Sequence, residues 1–146
     1  SERATGAFIA SVLTGRNEKL KAEIDAAFCD NDCVRTVAFT DKANVYMRAA
    51  DVMITKPGGL TSTEAAVANV PLVHLLAFSG CETKNAAFFV AHGMAEKADD
   101  VETAADRAWA LIEDKDSAAD MCARQRQFIP AGAADRIVAL VTEAGA

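Results

Sequence analysis

The densest set of chemically useful residues is the run Asp51-Val52-Met53-Ile54-Thr55-Lys56-Pro57-Gly58-Gly59-Leu60-Thr61-Ser62-Thr63-Glu64. An apolar, strand-like segment ends, two glycines let the backbone turn tightly, and a helical segment begins. The first amides of that helix have no intrahelical acceptor, and its aligned peptide dipoles make it positive, so it can receive a phosphate or diphosphate. Thr61 adds a hydroxyl in the first turn. Glu64, one turn later on the same face, is placed to accept hydrogen bonds from a ribose diol. The same residues have a purely structural use. Thr61-x-x-Glu64 is also a capping box, in which both side chains satisfy the helix start, and Gly58 and Gly59 could serve the turn alone. The run is neither a Walker loop nor G-x-G-x-x-G.

Two further loops carry reactive residue types, Thr14-Gly15-Arg16-Asn17 and Ser79-Gly80-Cys81-Glu82. The cysteines are a C-x3-C pair, Cys29 and Cys33, and the isolated Cys81 and Cys122. A structural zinc site wants tighter paired spacing or nearby histidines, and His74 and His92 each sit inside apolar stretches. Reduced thiols are therefore expected, with the histidines as fixtures of a strand and a helix end and no metal site.

These loops need elements to hold them, and the chain alternates short apolar runs with longer helical ones. Phe8 to Leu13 reads as a buried strand. Glu18 to Phe28 places Leu20, Ile24 and Phe28 at helical spacing. Val34 to Phe39 is a second strand, Lys42 to Ala50 a short helix, and Asp51 to Thr55 a third strand. A helix from about Thr61 to Asn69 follows, then a Pro71-led strand over Leu72–Leu76. Glu82 to His92 is helical with Gly93 as its C-cap, and Met94 to Lys97 forms a short edge strand. Beyond Asp100 the signal is helical to the end, interrupted near Pro130-Ala131-Gly132. Strands fed by helices of this length imply right-handed crossovers. The expected fold class is α/β: a Rossmann-like, doubly wound parallel sheet with helices on both faces. Ligands bind such sheets at the carboxyl ends of the strands, where all three loops lie.

Bulk properties narrow the function. One domain over residues 1–146 is expected from length. A net charge of -6 argues against nucleic acid and against unaided docking on anionic lipid. No apolar run is long enough to span a bilayer, and no signal-peptide layout opens the chain, so direct membrane insertion by this segment is not expected. A nicotinamide dehydrogenase lacks its acidic residue after a G-x-G-x-x-G turn.

The stretch from Asp51 through Ala95 resembles the donor-binding domain of monogalactosyldiacylglycerol synthases, bacterial diacylglycerol glucosyltransferases and the MurG peptidoglycan glycosyltransferase. Their pattern runs strand, K-P-G-G-x-T-x-x-E, proline-led strand, G-x-E-x-x-N-A, glycine. This sequence supplies Lys56-Pro57-Gly58-Gly59-Leu60-Thr61-Ser62-Thr63-Glu64, Pro71, Gly80-Cys81-Glu82-Thr83-Lys84-Asn85-Ala86 and Gly93 in that order. Upstream, Gly15-Arg16-Asn17-Glu18-Lys19-Leu20 looks like the G-R-N-x-x-L segment of the diacylglycerol branch.

The resemblance implies one half of a GT-B fold and UDP-sugar as donor substrate, with no cofactor. It implies transfer of a hexose from UDP to a lipid acceptor such as diacylglycerol, with inversion. Gly58, Gly59, Leu60 and Thr61 would face the diphosphate, with Arg16 close by, and Glu64 the ribose. The backbone at Phe39 and Thr40 would flank the uracil, and Glu82, Thr83 and Asn85 would lie near the transferred sugar. The catalytic residue is expected in a missing acceptor-binding N-terminal half, which would also bring the lipid, so this segment reads as a fragment inactive alone. A cytoplasmic protein is implied, peripheral at the cytoplasmic membrane face when full length. Two departures stand out: Cys81 replaces a usual glutamine, and Ser1 to Ala7 contains no strand with a glycine-rich turn. Two alternatives are a one-domain catalytic subunit with a membrane partner, and a Rossmann-type module that senses a nucleotide and catalyses nothing.

Overall fold

A computed structural model describes residues 8–75 and 81–144. The chain divides into two compact units, Ser1–Ala43 and Asn44–Ala146, each described by itself.

In the first unit, β1 (Ala10–Gly15) leads through α1 (Glu18–Ala27) to β2 (Val34–Ala38), and the strands pair in parallel from Ala10↔Val34 to Gly15↔Ala38. β1 lies two residues further along than its apolar run suggests, because pairing with β2 selects the strand. The Thr14 hydroxyl donates to the Val37 carbonyl at 3.2 Å, and Gly15, at φ 59°, makes the turn that ends the strand. Burial alternates along β1, with Val12 and Thr14 inward and Ser11 and Leu13 outward, so this is a half-buried strand and not the buried run expected. Asn17 caps α1, its side-chain oxygen accepting the Leu20 amide at 3.0 Å.

In the second unit, α2 (Ala43–Ala49, whose first residue closes the first unit) precedes β3 (Met53–Thr55), α3 (Gly59–Ala68), β4 (Leu72–Leu75), α4 (Cys81–Ala91) and β5 (Glu96–Ala98). The strands lie in the order β3-β4-β5, all parallel, with Met53↔Leu72 and Val73↔Glu96 in register. Parallel strands alternating with helices are the expected fold class. Leu72 and Val73 of β4 are fully buried, as the middle strand of a covered parallel sheet should be. Around them pack Ala65, Ala66, Val70, Phe89, Met94, Ala98, Ala104, Leu111 and Met121. The alanines keep helix backbones close to the sheet.

Gly93, at φ 67°, closes α4 as expected: its amide bonds Val90 O at 3.0 Å and the next amide, Met94, bonds Phe89 O at 2.9 Å. The helical signal after Asp100 breaks at Asp114 into α5 (Val101–Glu113) and α6 (Lys115–Phe128), then α7 (Ala133–Ala144). Asp114 makes that break by accepting the amides of Asp116 and Ser117 at 3.1 and 3.0 Å. α5 buries Ala104, Ala108 and Leu111, whereas Ile137, Val138, Leu140 and Val141 of α7 stand exposed. Leu76, the Ser79-Gly80 half of the third loop, and Ser1 to Ala7 fall outside the described residues.

Candidate donor site at the start of helix α3

α3 begins two residues earlier than its sequence suggests. Gly58 is the N-cap, in extended conformation, and Ser62 N bonds its carbonyl at 3.0 Å. The cause is Pro57-Gly58: with Pro57 buried and Gly58 extended, Gly59 becomes the first helical residue. Thr61 therefore lies inside the first turn and is not the cap, so the capping-box use of Thr61 and Glu64 falls away. Neither glycine has positive φ, so neither is needed for a tight turn. What they supply is a missing side chain: Gly58 cannot cap the helix, and no side chain does. The amides of Gly59, Leu60 and Thr61 have no acceptor among the described residues.

Around this open start the structure gathers the second loop's partners. A Cβ on Gly59 would meet Asn85 Nδ2 at 3.4 Å, and Asn85 Nδ2 donates to Pro57 O at 3.3 Å. Lys56 Nζ meets Glu82 Oε1 at 2.8 Å. Thus Gly59 and Asn85 lie side by side and Glu82 is tied to Lys56, with Thr83 on the same first turn of α4. Leu60 is 82% exposed, so it offers its backbone and not its side chain to anything buried. Glu64 is exposed, and its carboxylate makes no hydrogen bond among the described residues.

In the first unit, Arg16 does not stand free in its loop. Its guanidinium lies over the Phe39 ring, 4.9 Å from the centroid, on a ring that is 64% exposed. Thr40 Oγ1 accepts the Lys42 amide at 3.1 Å. At the opposite, amino-terminal end of β2 there is an open depression of about 480 Å³ lined by Ile24, Phe28, Arg35 and neighbours, which holds none of the expected site residues.

Two features near the open start were not foreseen. Ser62, on the buried side of the first turn of α3, hydrogen-bonds His74 Nε2 of β4 at 3.0 Å. His74 is 1% exposed, its Nδ1 has no partner among the described residues, and burial pushes its pKa down to about 4. A lone pair is cheaper to leave unpaired than an N–H, so the proton belongs on Nε2, donating to Ser62. Sequence placed His74 in a strand; its partner on a different element had no local signal. The other is the Lys56–Glu82 pair, whose members lie 26 residues apart.

Parallel strands alternating with helices make this an α/β domain of the kind that forms the C-terminal half of GT-B glycosyltransferases. MurG of Acinetobacter baumannii superposes with a TM-score of 0.70 at 19% identity, covering 92% of this chain and 42% of that one. WaaG, a glycosyltransferase involved in lipopolysaccharide biosynthesis, superposes at 0.64 and 14% identity, covering 84% and 34%. Residues 6–129 match the glycosyltransferase family 28 C-terminal domain, and the chain belongs to that family. A processive diacylglycerol beta-glucosyltransferase of Staphylococcus carnosus is 34% identical over 117 residues, 80% of this chain and 30% of its own length. The Staphylococcus aureus (strain Newman) enzyme of that name is 34% identical over 93 residues, 64% and 24%. The chain thus spans less than a third of the length of these relatives. No described helix is long and apolar enough to cross a membrane.

Proposed function

We propose that this chain is the donor-binding domain of a UDP-sugar-dependent glycosyltransferase that transfers a hexose, with inversion, to a lipid acceptor such as diacylglycerol. The observation that carries this reading is the start of α3, where three successive amides have no acceptor among the described residues and the cap position is a glycine. The names of the family and of the staphylococcal relatives support the reaction class and the lipid acceptor.

In this reading the amides of Gly59, Leu60 and Thr61 hold the diphosphate and Glu64 accepts from the ribose hydroxyls. The backbone at Phe39 and Thr40 flanks the uracil, and Arg16 serves the phosphates. Glu82, Thr83 and Asn85 address the sugar. The acceptor oxygen attacks the anomeric carbon from the face opposite UDP, and its proton passes to a base supplied by a second, acceptor-binding half. The bond to the β-phosphate oxygen breaks and its electron pair leaves with UDP. Negative charge then grows at the start of α3, where fixed amides and the helix dipole meet it without reorganising. Losing such a donor set costs about 3 kcal/mol of barrier by analogy with oxyanion sites. This chemistry uses no metal or cofactor. The whole enzyme works at the cytoplasmic face of a membrane, reached through the acceptor half.

Calorimetric titration of the chain with UDP tests the reading. Saturable uptake is expected, with affinity lowered roughly tenfold by Glu64→Ala, the loss typical of a hydrogen bond to a charged group. A folded chain that takes up no UDP, or an alanine variant that binds as well as the parent, would remove the proposal.

A further inference from the structure

We infer that Lys56 is a positioning residue for the transferred sugar: its ammonium holds the Glu82 carboxylate beside the start of α3 and so sets how much tighter a sugar-bearing donor binds than the bare nucleotide. The inference rests on the donor-site reading above.

Glu82 lies in the first turn of α4, where a carboxylate is ordinarily content beside the amides of its own helix. Here it reaches across to Lys56, the residue that follows β3, at 2.8 Å. The side chain of Glu82 is only 25% exposed and that of Lys56 66%, so the lysine is the more solvated member of the pair. One turn along α4, Asn85 donates its Nδ2 to the carbonyl of Pro57. The short segment Lys56-Pro57 thus tethers two of the three residues assigned to the sugar. Each tether occupies one end of the side chain: Glu82 gives Oε1 to Lys56, and Asn85 gives Nδ2 to Pro57. Glu82 Oε2 and Asn85 Oδ1 are left uncommitted among the described residues. Two neighbouring acceptor oxygens suit the hydroxyls of a hexose, which arrive as donors.

Charge argues the same way. An exposed lysine–carboxylate pair contributes little to stability, so the fold has small need of it. Its use is positional: the lysine fixes the carboxylate in one place beside the helix start, at a distance from the diphosphate, where a sugar hydroxyl can meet it. Paired to Lys56, Glu82 is neutralised without losing its second oxygen.

The test is calorimetry on the chain with UDP, UDP-glucose and UDP-galactose, comparing the parent with Lys56→Met, Lys56→Arg and Glu82→Gln. Because Lys56 is mostly exposed, each variant is expected to fold, as thermal unfolding will check. In Lys56→Met the preference for the better UDP-hexose over UDP falls by about tenfold while UDP itself binds within about twofold of the parent. Arginine restores most of the preference, and adding Lys56→Met to Glu82→Gln changes nothing further. Equal weakening of UDP and UDP-hexose would place Lys56 on the diphosphate and overturn the inference. So would a Lys56→Met chain indistinguishable from the parent, or a parent that binds UDP and both UDP-hexoses equally. A folded parent that takes up no UDP overturns the donor-site reading and this inference with it.

Discussion

The two ends of α3 are finished in opposite ways. At the carboxyl end the loose groups are largely tied. Asn69 adopts φ 58°, its amide bonds Ala66 O at 3.1 Å, and Val70 N bonds Ala65 O. From α6, Cys122 donates to Asn69 O at 3.1 Å, Arg126 to Asn69 Oδ1 at 3.1 Å, and Gln125 Nε2 to Val70 O at 2.9 Å. At the amino end a glycine caps nothing and three amides are left open among the described residues. Elsewhere the chain does tie helix starts: α1, α5 and α6 are capped by the side chains of Asn17, Asp100 and Asp114. The start of α3 lacks such an oxygen, which is the condition that the proposed donor site requires.

Breaking the closed end should have the largest effect and leave the open end's chemistry intact. Gln125 is fully buried on α6 and its amide also donates to Met94 O at 3.0 Å, so one side chain seals the backbone after both α3 and α4. Gln125→Leu keeps the volume and strands two buried carbonyls, at a cost of about 2–4 kcal/mol. Denaturant unfolding should show that loss, while UDP affinity of the remaining folded chain is unchanged. A much weaker UDP affinity at full folding would mean that the two ends are not independent.

Closing the open end is the converse change. A Cβ at Gly58 meets nothing within 4 Å and its φ of -70° suits any L-residue, so Gly58→Asp can supply the missing cap. The carboxylate then occupies the amides that the diphosphate is to use. Stability should rise by a few tenths of a kcal/mol while UDP affinity falls by about 10- to 100-fold. Opposite signs in the melting curve and the titration are the signature. A variant that gains stability and keeps its UDP affinity would show that the amides are not the anion site.

The sequence made the outward half of this arrangement legible and hid the inward half. Alternating apolar runs and helical stretches carry the order of strands and helices because a parallel sheet needs a crossover after each strand. The residues around Lys56 to Glu64 and Glu82 to Asn85 stood out because their types and order form a motif. The exact start of α3 did not, since Thr61-x-x-Glu64 satisfies a local rule that Pro57-Gly58 overrides two residues earlier. The break at Asp114 did not stand out either, because it falls inside a long helical signal and only the amides that Asp114 accepts make it a boundary. Gln125, the Ser62–His74 bond and the Lys56–Glu82 pair join elements 12 to 55 residues apart, and no periodicity in one strand of text encodes a partner at that distance.

The smallest effect concerns how the open end is held from beneath. Ser62 is the one polar contact tying the buried side of the first turn of α3 to β4 among the described residues, and its partner His74 titrates. In the folded chain His74 stays neutral down to about pH 4, because its buried ring cannot easily take a charge; unfolded, it takes a proton near its ordinary 6.5. Between those values the unfolded state binds the extra proton, so stability falls as pH drops and levels off below about 4. From pH 7 to 5.5 the loss amounts to about 1 kcal/mol. Asp25, Asp100 and Asp114, whose hydrogen bonds hold them below the usual carboxylate range, act only at lower pH and leave this window clear. Ser62→Ala with His74→Leu replaces both partners by apolar groups and should flatten the slope between pH 7 and 5.5 at little cost at pH 7. Urea unfolding at the two pH values reads this directly, and a slope that survives in the double variant would assign it to another group and leave the pair a packing detail.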